Sequence, residues 1–249
     1  MRYFGKSDKG LERSENQDSF CCFEFYDALV CVLCDGMGGG AYGKLAADIA
    51  LETFSEKFKE FSLDYIKSPA AFSMSVTGVM KRALRYANKA VYDKSIEMNR
   101  PREIGTTLVC TVIYDGMIYA INVGDSRLYE FFDGSLTKLT KDHSYVQLLI
   151  DIGRIKEKEA ELYDNGSITK ALGLESSVEA DTYVIDLYDD SVYLLCSDGL
   201  YNMIGEQGIL EGLKLVTNGE DPESAVQNLI QEALNAGGFD NITAVIIAS

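Results

Sequence analysis

The chain has 249 residues, 47% of them hydrophobic, which is enough to bury a large core. Its 23 Lys and Arg against 39 Asp and Glu leave a formal charge of -16 with no block of basic residues, so a broad electrostatic footprint for nucleic acid or an anionic membrane is excluded. The N-terminal "MRYFGKSDKGLERS" lacks an apolar signal core and no apolar window reaches membrane-spanning length, from which a cytoplasmic protein is expected.

The first structured signal is an apolar run, "ALVCVLCDG" (28–36), which reads as a buried strand ending on Asp35-Gly36. Four of the five positions after Asp35 are glycine, at 36, 38, 39 and 40. Such a cluster loses much backbone entropy on folding and implies a sharp turn or a close approach to the backbone. Leu45, Ile49, Ala50, Phe54 and Phe58 then recur at helical spacing. A second long helix is predicted to start at Ser68 as N-cap with Pro69 in its first turn, burying Phe72, Val76, Val79, Met80, Ala83, Leu84, Ala87 and Val91.

From 105 to 140 the texture turns to strands cut by "YDGM" and "FDGS". These read as hairpin turns, so Asp115 and Asp133 are expected to be turn residues only. Residues 143–173 are short, charged and irregular, a candidate lid or flap. "TYVIDLYDDSVYLLCS" reads as a hairpin whose second half ends on Asp198-Gly199. A helix capped by Asp221 and Pro222 and a closing strand, "NITAVIIAS", follow. The six cysteines lie among apolar neighbours and read as reduced core residues; Cys31 and Cys34 of the CxxC fall on opposite faces of a strand, which argues against a shared metal or disulfide. Hairpin-like strands with a few long helices give an α+β layered architecture, and the absence of any linker-like stretch gives one domain over 1–249.

Four aspartates share one setting, a strand end beside Gly or Asn: Asp35, Asp125 in "VGDSR", Asp198, and Asp240 in "FDNIT". Carboxylates converging at one core edge repel unless cations neutralise them, and an all-oxygen donor set selects hard ions such as Mg²⁺ or Mn²⁺. Two such ions sharing a carboxylate can activate water and clamp a phosphoryl group.

With "RSENQDSF" (13–20), "CDGMGG", "GTTLV", "VGDSRLY", "LTKDHS", "ITKALG", "CSDGL" and "FDNIT" in this order, the chain closely resembles the protein phosphatase 2C (PPM) family of metal-dependent serine/threonine phosphatases, in its compact bacterial form. The resemblance implies a four-layer α-β-β-α sandwich of two antiparallel sheets flanked by helices, with a flap subdomain at about 143–170. It implies hydrolysis of phosphoserine and phosphothreonine by direct attack of a water bridging two Mn²⁺ or Mg²⁺ ions. In that reading Asp35 bridges the ions, the Gly36 carbonyl binds one, and Asp198 and Asp240 complete the other. Asp125 with Asp198 can hold a third. Asp18 orients water from outside the ion shell, Asn16 and Gln17 support its turn, and Arg13 forks onto the phosphate. A partner serine/threonine kinase and a monomeric state are expected from the same resemblance. A non-catalytic, phosphoprotein-binding module of the same fold is the alternative, disfavoured because no acidic ligand is missing.

The pattern departs from the family in three places. Met37 stands where several eukaryotic members have a histidine that serves as proton donor, Gly40 where bacterial members usually have His, and Lys170 where they usually have Arg. The lone histidine, His143, falls in the segment leading to the flap and is expected to be structural.

Overall fold

The computed structural model describes residues 1–39, 41–163 and 167–249. Gly40 and the tip of the 143–170 segment lie outside the described residues. Among the described residues, eleven strands and five α-helices follow in order as β1 (Arg2–Asp8), β2 (Asp18–Phe25), β3 (Ala28–Met37), α1 (Ala41–Ser62), α2 (Pro69–Glu97), β4 (Gly105–Thr106), β5 (Leu108–Tyr114), β6 (Met117–Val123), β7 (Arg127–Phe132), β8 (Ser135–Lys138), α3 (Tyr145–Asp151), β9 (Asp181–Asp186), β10 (Val192–Cys196), α4 (Asp198–Thr217), α5 (Pro222–Asn235) and β11 (Ile242–Ala248).

Two antiparallel sheets result, one ordered β1-β11-β10-β7-β8 and the other β2-β3-β5-β6-β9, with β4 extending the second beside β3. Strand alternation explains the layers. Val30, Val32 and Cys34 of β3 face the α1–α2 pair, whereas Leu29, Cys31 and Leu33 face the other sheet. On the opposite side Val192, Leu194 and Cys196 of β10 pack under α4 and α5, while Tyr193 and Leu195 point between the sheets. Three apolar layers therefore separate four layers of secondary structure, α-β-β-α. The cysteines are free, and Cys31 and Cys34 do lie on opposite faces.

Local chemistry accounts for the boundaries. Ser68 Oγ accepts the amide of Ala71 ahead of Pro69, and the anticipated α2 stripe is buried throughout. Asp221 caps α5 by accepting from Ser224. Asp115-Gly116 and Asp133-Gly134 take positive φ at both positions, the signature of a two-residue hairpin turn. The 182–197 stretch does not form the expected hairpin: β9 pairs with β6 in one sheet, and β10 runs between β7 and β11 in the other. β10 is buried on every residue, as a central strand must be, whereas β9 exposes Val184 at an edge. The chain between them crosses from one sheet to the other.

The 143–170 segment closes on itself. Tyr145 N–H donates to the Ser167 carbonyl at 2.8 Å, Thr169 N–H donates to that of His143 at 2.7 Å, and α3 and a 3-10 turn at Glu157–Leu162 lie between. Among the described residues no helix is long and apolar enough to cross a membrane.

Candidate active site

The inter-sheet rows do not stop at the core edge; they continue into polar side chains. After Leu29, Cys31 and Leu33 the next inward position on β3 is Asp35, which the ladder register sets opposite Asp18 of β2. After Tyr193 and Leu195 comes Ser197, and before Val245 and Ile247 of β11 comes Thr243. Asp18 Oδ2 accepts from Thr243 Oγ1 at 2.6 Å and Ser197 Oγ at 2.8 Å, so the first sheet grips a carboxylate of the second. Asp18 is 3% exposed. Its Oδ1 is enclosed and has no donor among the described residues other than the Asp35 carboxyl when that is protonated.

Backbone anchors aim Asp35. Its N–H donates to Thr107 Oγ1 at 2.9 Å, and its carbonyl accepts from the Thr107 amide and Thr106 Oγ1, both at 2.9 Å. Thr107 Oγ1 lies 2.7 Å from Ser126 Oγ, beside Asp125. Gly36 is buried under the first turn of α1; a Cβ there would meet the Gly43 carbonyl at 2.0 Å. The turn itself falls to Gly38 and Gly39, with φ of +136° and +69°. Close approach and a sharp turn thus divide the glycine cluster between them.

Asp198 opens α4, and Gly199 beside it lets the helix touch β11, where a Cβ would stand 2.0 Å from the Asn241 carbonyl. Asp240 is thereby brought to Asp198. Asn241 holds the loop that carries Arg13: its Oδ1 accepts from Gln17 N–H at 2.9 Å, and its amide donates to the carbonyls of Lys9 and Glu15. Arg13 reaches the site and forms a 2.7 Å ion pair with Asp240, both side chains partly exposed.

Asp125 is held from its far side. Tyr201 Oη donates to its carbonyl at 3.1 Å, and the Tyr201 ring carries the Arg127 guanidinium 3.5 Å above its centre. Arg127 in turn binds Asp142 through Nε and Nη2, the shortest contact being 2.7 Å. His143 secures the neighbouring turn: its Nδ1 accepts from Gly124 N–H at 3.0 Å, which leaves the proton on Nε2, 3.4 Å from Asp181 and 3.4 Å from Lys170 Nζ. Burial and then Lys170 push the His143 pKa down. This is a structural histidine, and Lys170 lies beside it.

The electrostatics mark the convergence. Burial pushes the Asp35 carboxyl well above its ordinary range, and after burial the contributors are Asp18, Asp198, Asp125 and Asp240. Asp198 is raised to about 8 by burial and next by Asp125 and Asp240. Asp18 and Asp125 each rise to about 6, with burial as the main cause. All five carboxylates that sequence reasoning assigned to ions or water therefore meet at one end of the sandwich, with Gly36 beneath them and Arg13 at the rim. They form an open array: among the described residues no three His, Cys, Asp or Glu side chains close into a ready cage. The donor set, oxygen throughout, with mutually unfavourable charges and an enclosed Oδ1 on Asp18, fits hard divalent cations.

Ser197, Thr243, Thr106, Thr107, Ser126 and Asn241 carry much of this geometry without having been singled out. Ser197 and Thr243 extend the inward apolar rows of β10 and β11, a parity that becomes a signal only once the pairing of the strands is known.

Comparison with known proteins agrees with this reading. The protein phosphatase 2C family pattern matches residues 11–235. The serine/threonine protein phosphatase PstP of Mycobacterium tuberculosis is 33% identical over 247 residues, 99% of this chain and 44% of PstP, so the chain spans less than half the length of that relative. The serine/threonine phosphatase stp of Listeria welshimeri is 32% identical over 246 residues, covering 97% of this chain and 93% of stp. The crystal structure of the PstP catalytic domain with two manganese ions superimposes with a TM-score of 0.81 at 31% identity, covering 98% of this chain and 96% of that one. With its five aspartates gathered at the mouth of an α-β-β-α sandwich, the chain belongs to the protein phosphatase 2C family.

Proposed function

We propose that the chain is a metal-dependent protein phosphatase that hydrolyses phosphoserine and phosphothreonine in protein substrates. The observation that carries this is the assembly of Asp18, Asp125, Asp198 and Asp240, each from a separate part of the sequence, around the carboxyl of Asp35. Asp35, Asp198 and Asp240 with the Gly36 carbonyl would hold two Mn²⁺ or Mg²⁺ ions, and Asp125 with Asp198 a third. Bound there, the ions supply Lewis acidity, activating water and neutralising charge on the phosphoryl oxygens.

The chain's own groups supply the rest. Arg13, exposed at the rim, exchanges Asp240 for two phosphoryl oxygens, which a planar guanidinium matches in a bidentate fork. Asp18, immobilised by Ser197 and Thr243 opposite Asp35, orients the water from outside the ion shell. Residues 143–170 form a flap subdomain within one catalytic unit over 1–249. A partner serine/threonine kinase in the cytoplasm would make the phosphoproteins consumed here.

Hydrolysis of p-nitrophenyl phosphate and of a phosphothreonine peptide, with and without Mn²⁺, tests this reading. Turnover should require the ion and should fall at least about 100-fold in Asp198→Asn. Metal-independent turnover, or a variant as active as its parent, would sink it. Full activity toward p-nitrophenyl phosphate with none toward phosphopeptides would remove the protein substrate alone.

A further inference from the structure

Two thiols meet on the ladder that ends in Asp18 and Asp35. The β2–β3 register places Cys22 directly opposite Cys31, and both side chains belong to the layer between the sheets. Which kind of cross-strand pair this is follows from the turn. Phe25 and Ala28 flank the two-residue turn Tyr26-Asp27, and the residues closing such a turn form a hydrogen-bonded pair. Pairs alternate along an antiparallel ladder, so Phe23 and Val30 are again hydrogen-bonded, and Cys22 and Cys31 are not. Non-hydrogen-bonded partners have Cα atoms about 4.5 Å apart, inside the roughly 4.4–6.8 Å that a disulfide spans. The register and the shared layer thus set the two thiols side by side across the ladder.

Exposure divides the roles. β2 is the edge strand of its sheet, and Cys22 is half-buried there with Tyr3 and Glu24 beside it, whereas Cys31 is fully buried. The remaining nearby thiols, Cys21, Cys34 and Cys110, are on the helix-facing side of the same sheet, with the strands between them and this pair.

We propose that Cys22 and Cys31 form a peroxide-oxidisable dithiol that closes reversibly to an intrachain disulfide, a modification site separate from the phosphatase reaction. Cys22 meets the oxidant: its sulfur attacks a peroxide oxygen, the O–O bond breaks, and sulfenic acid and water form. The Cys31 sulfur then attacks that of Cys22, the S–S bond forms, the S–O bond breaks, and the hydroxyl leaves as water with the Cys31 proton. Two thiols lose two electrons to one peroxide. Because the resolving sulfur is the cross-strand neighbour, Cys22 is trapped before it reaches the irreversible sulfinic stage. The bond would clasp the hairpin four residues from Asp18 on one strand and four from Asp35 on the other, on the same face.

Mild hydrogen peroxide applied to the whole chain tests this by mass spectrometry, with Glu-C cleavage at Glu24 to separate the strands. The expected product is lighter by two hydrogens, joins the Cys22 and Cys31 peptides, and reverts with dithiothreitol. It should persist in Cys21→Ser and Cys34→Ser and be lost in Cys22→Ser. In Cys31→Ser the expected product is Cys22 sulfenic acid, captured by dimedone. Linkage through Cys21 or Cys34, linkage between two chains, or sulfinic acid at Cys22 in the parent as fast as in Cys31→Ser would each overturn the proposal.

Discussion

Two glycines show how differently one residue type is used. Gly78 sits inside α2 with nothing within 4 Å of its would-be Cβ and with ordinary helical backbone, whereas Gly199 lies 2.0 Å from the Asn241 carbonyl by the same measure. Gly78→Ala should therefore raise stability by about 0.5–1 kcal/mol, because it restricts the unfolded chain and improves helix propensity. Gly199→Ala should cost about 2–3 kcal/mol, since α4 must lift from β11. Urea denaturation of the two variants checks both signs, and the second should also weaken Mn²⁺ binding by separating Asp198 from Asp240. The carboxylates were legible in the sequence because each ends or begins an apolar run beside a turn residue. The hydroxyls that hold them were not: Ser197 and Thr243 look ordinary until two strands, distant in sequence, are known to face Asp18.

At the scale of elements, the Arg127–Asp142 pair ties the start of β7 to the stretch after β8, and through Tyr201 to the first turn of α4. Both side chains are largely buried, at 14% and 9% exposure, so removing one partner leaves an enclosed, unpaired charge. Asp142→Ala should cost about 3–5 kcal/mol, and the double change Arg127→Met, Asp142→Leu should cost less than Asp142→Ala alone. A double-mutant cycle by chemical denaturation measures the difference. Helix limits were readable from caps and prolines, and hairpins from Asp-Gly pairs, because those signals are local. Sheet membership is not local. β9 and β10 are separated by a short turn-like stretch and look like a hairpin, yet which neighbour each strand takes is decided by the burial of β10 on both faces.

For the whole molecule, the clustered acids set the pH response. The folded pKa values of Asp18, Asp125, Asp198 and Asp35 are raised, so the folded state binds protons that the unfolded chain releases above about pH 4. Their contribution is present at low pH and is lost as pH climbs through about 6 for Asp18 and Asp125 and about 8 for Asp198. His143 has the opposite sign: its lowered pKa removes stability as pH falls below its ordinary value, about 6.5. Four carboxylates against one imidazole make the metal-free protein melt at a higher temperature near pH 5.5 than near pH 8. Mn²⁺ at about 100 times its dissociation constant should add about 2.7 kcal/mol per site near pH 8, or about 5–10 °C in Tm. Calorimetric melts at the two pH values, with chelator and with Mn²⁺, decide it; an equal Tm in chelator at both would contradict the cluster's role.

The carboxylates come from β2, β3, the β6–β7 turn, the start of α4 and the approach to β11, and they meet only where one sheet lies on the other. The cradle therefore exists only after the sheets have docked, which gives its formation the long loop closures that come late in folding. An ion that binds it has no partner in the transition state and acts on escape from the native basin. Stopped-flow chevrons should show Mn²⁺ lowering the unfolding limb while leaving the refolding limb in place, so that the ion sets the lifetime of the folded chain and leaves the speed of its formation unchanged.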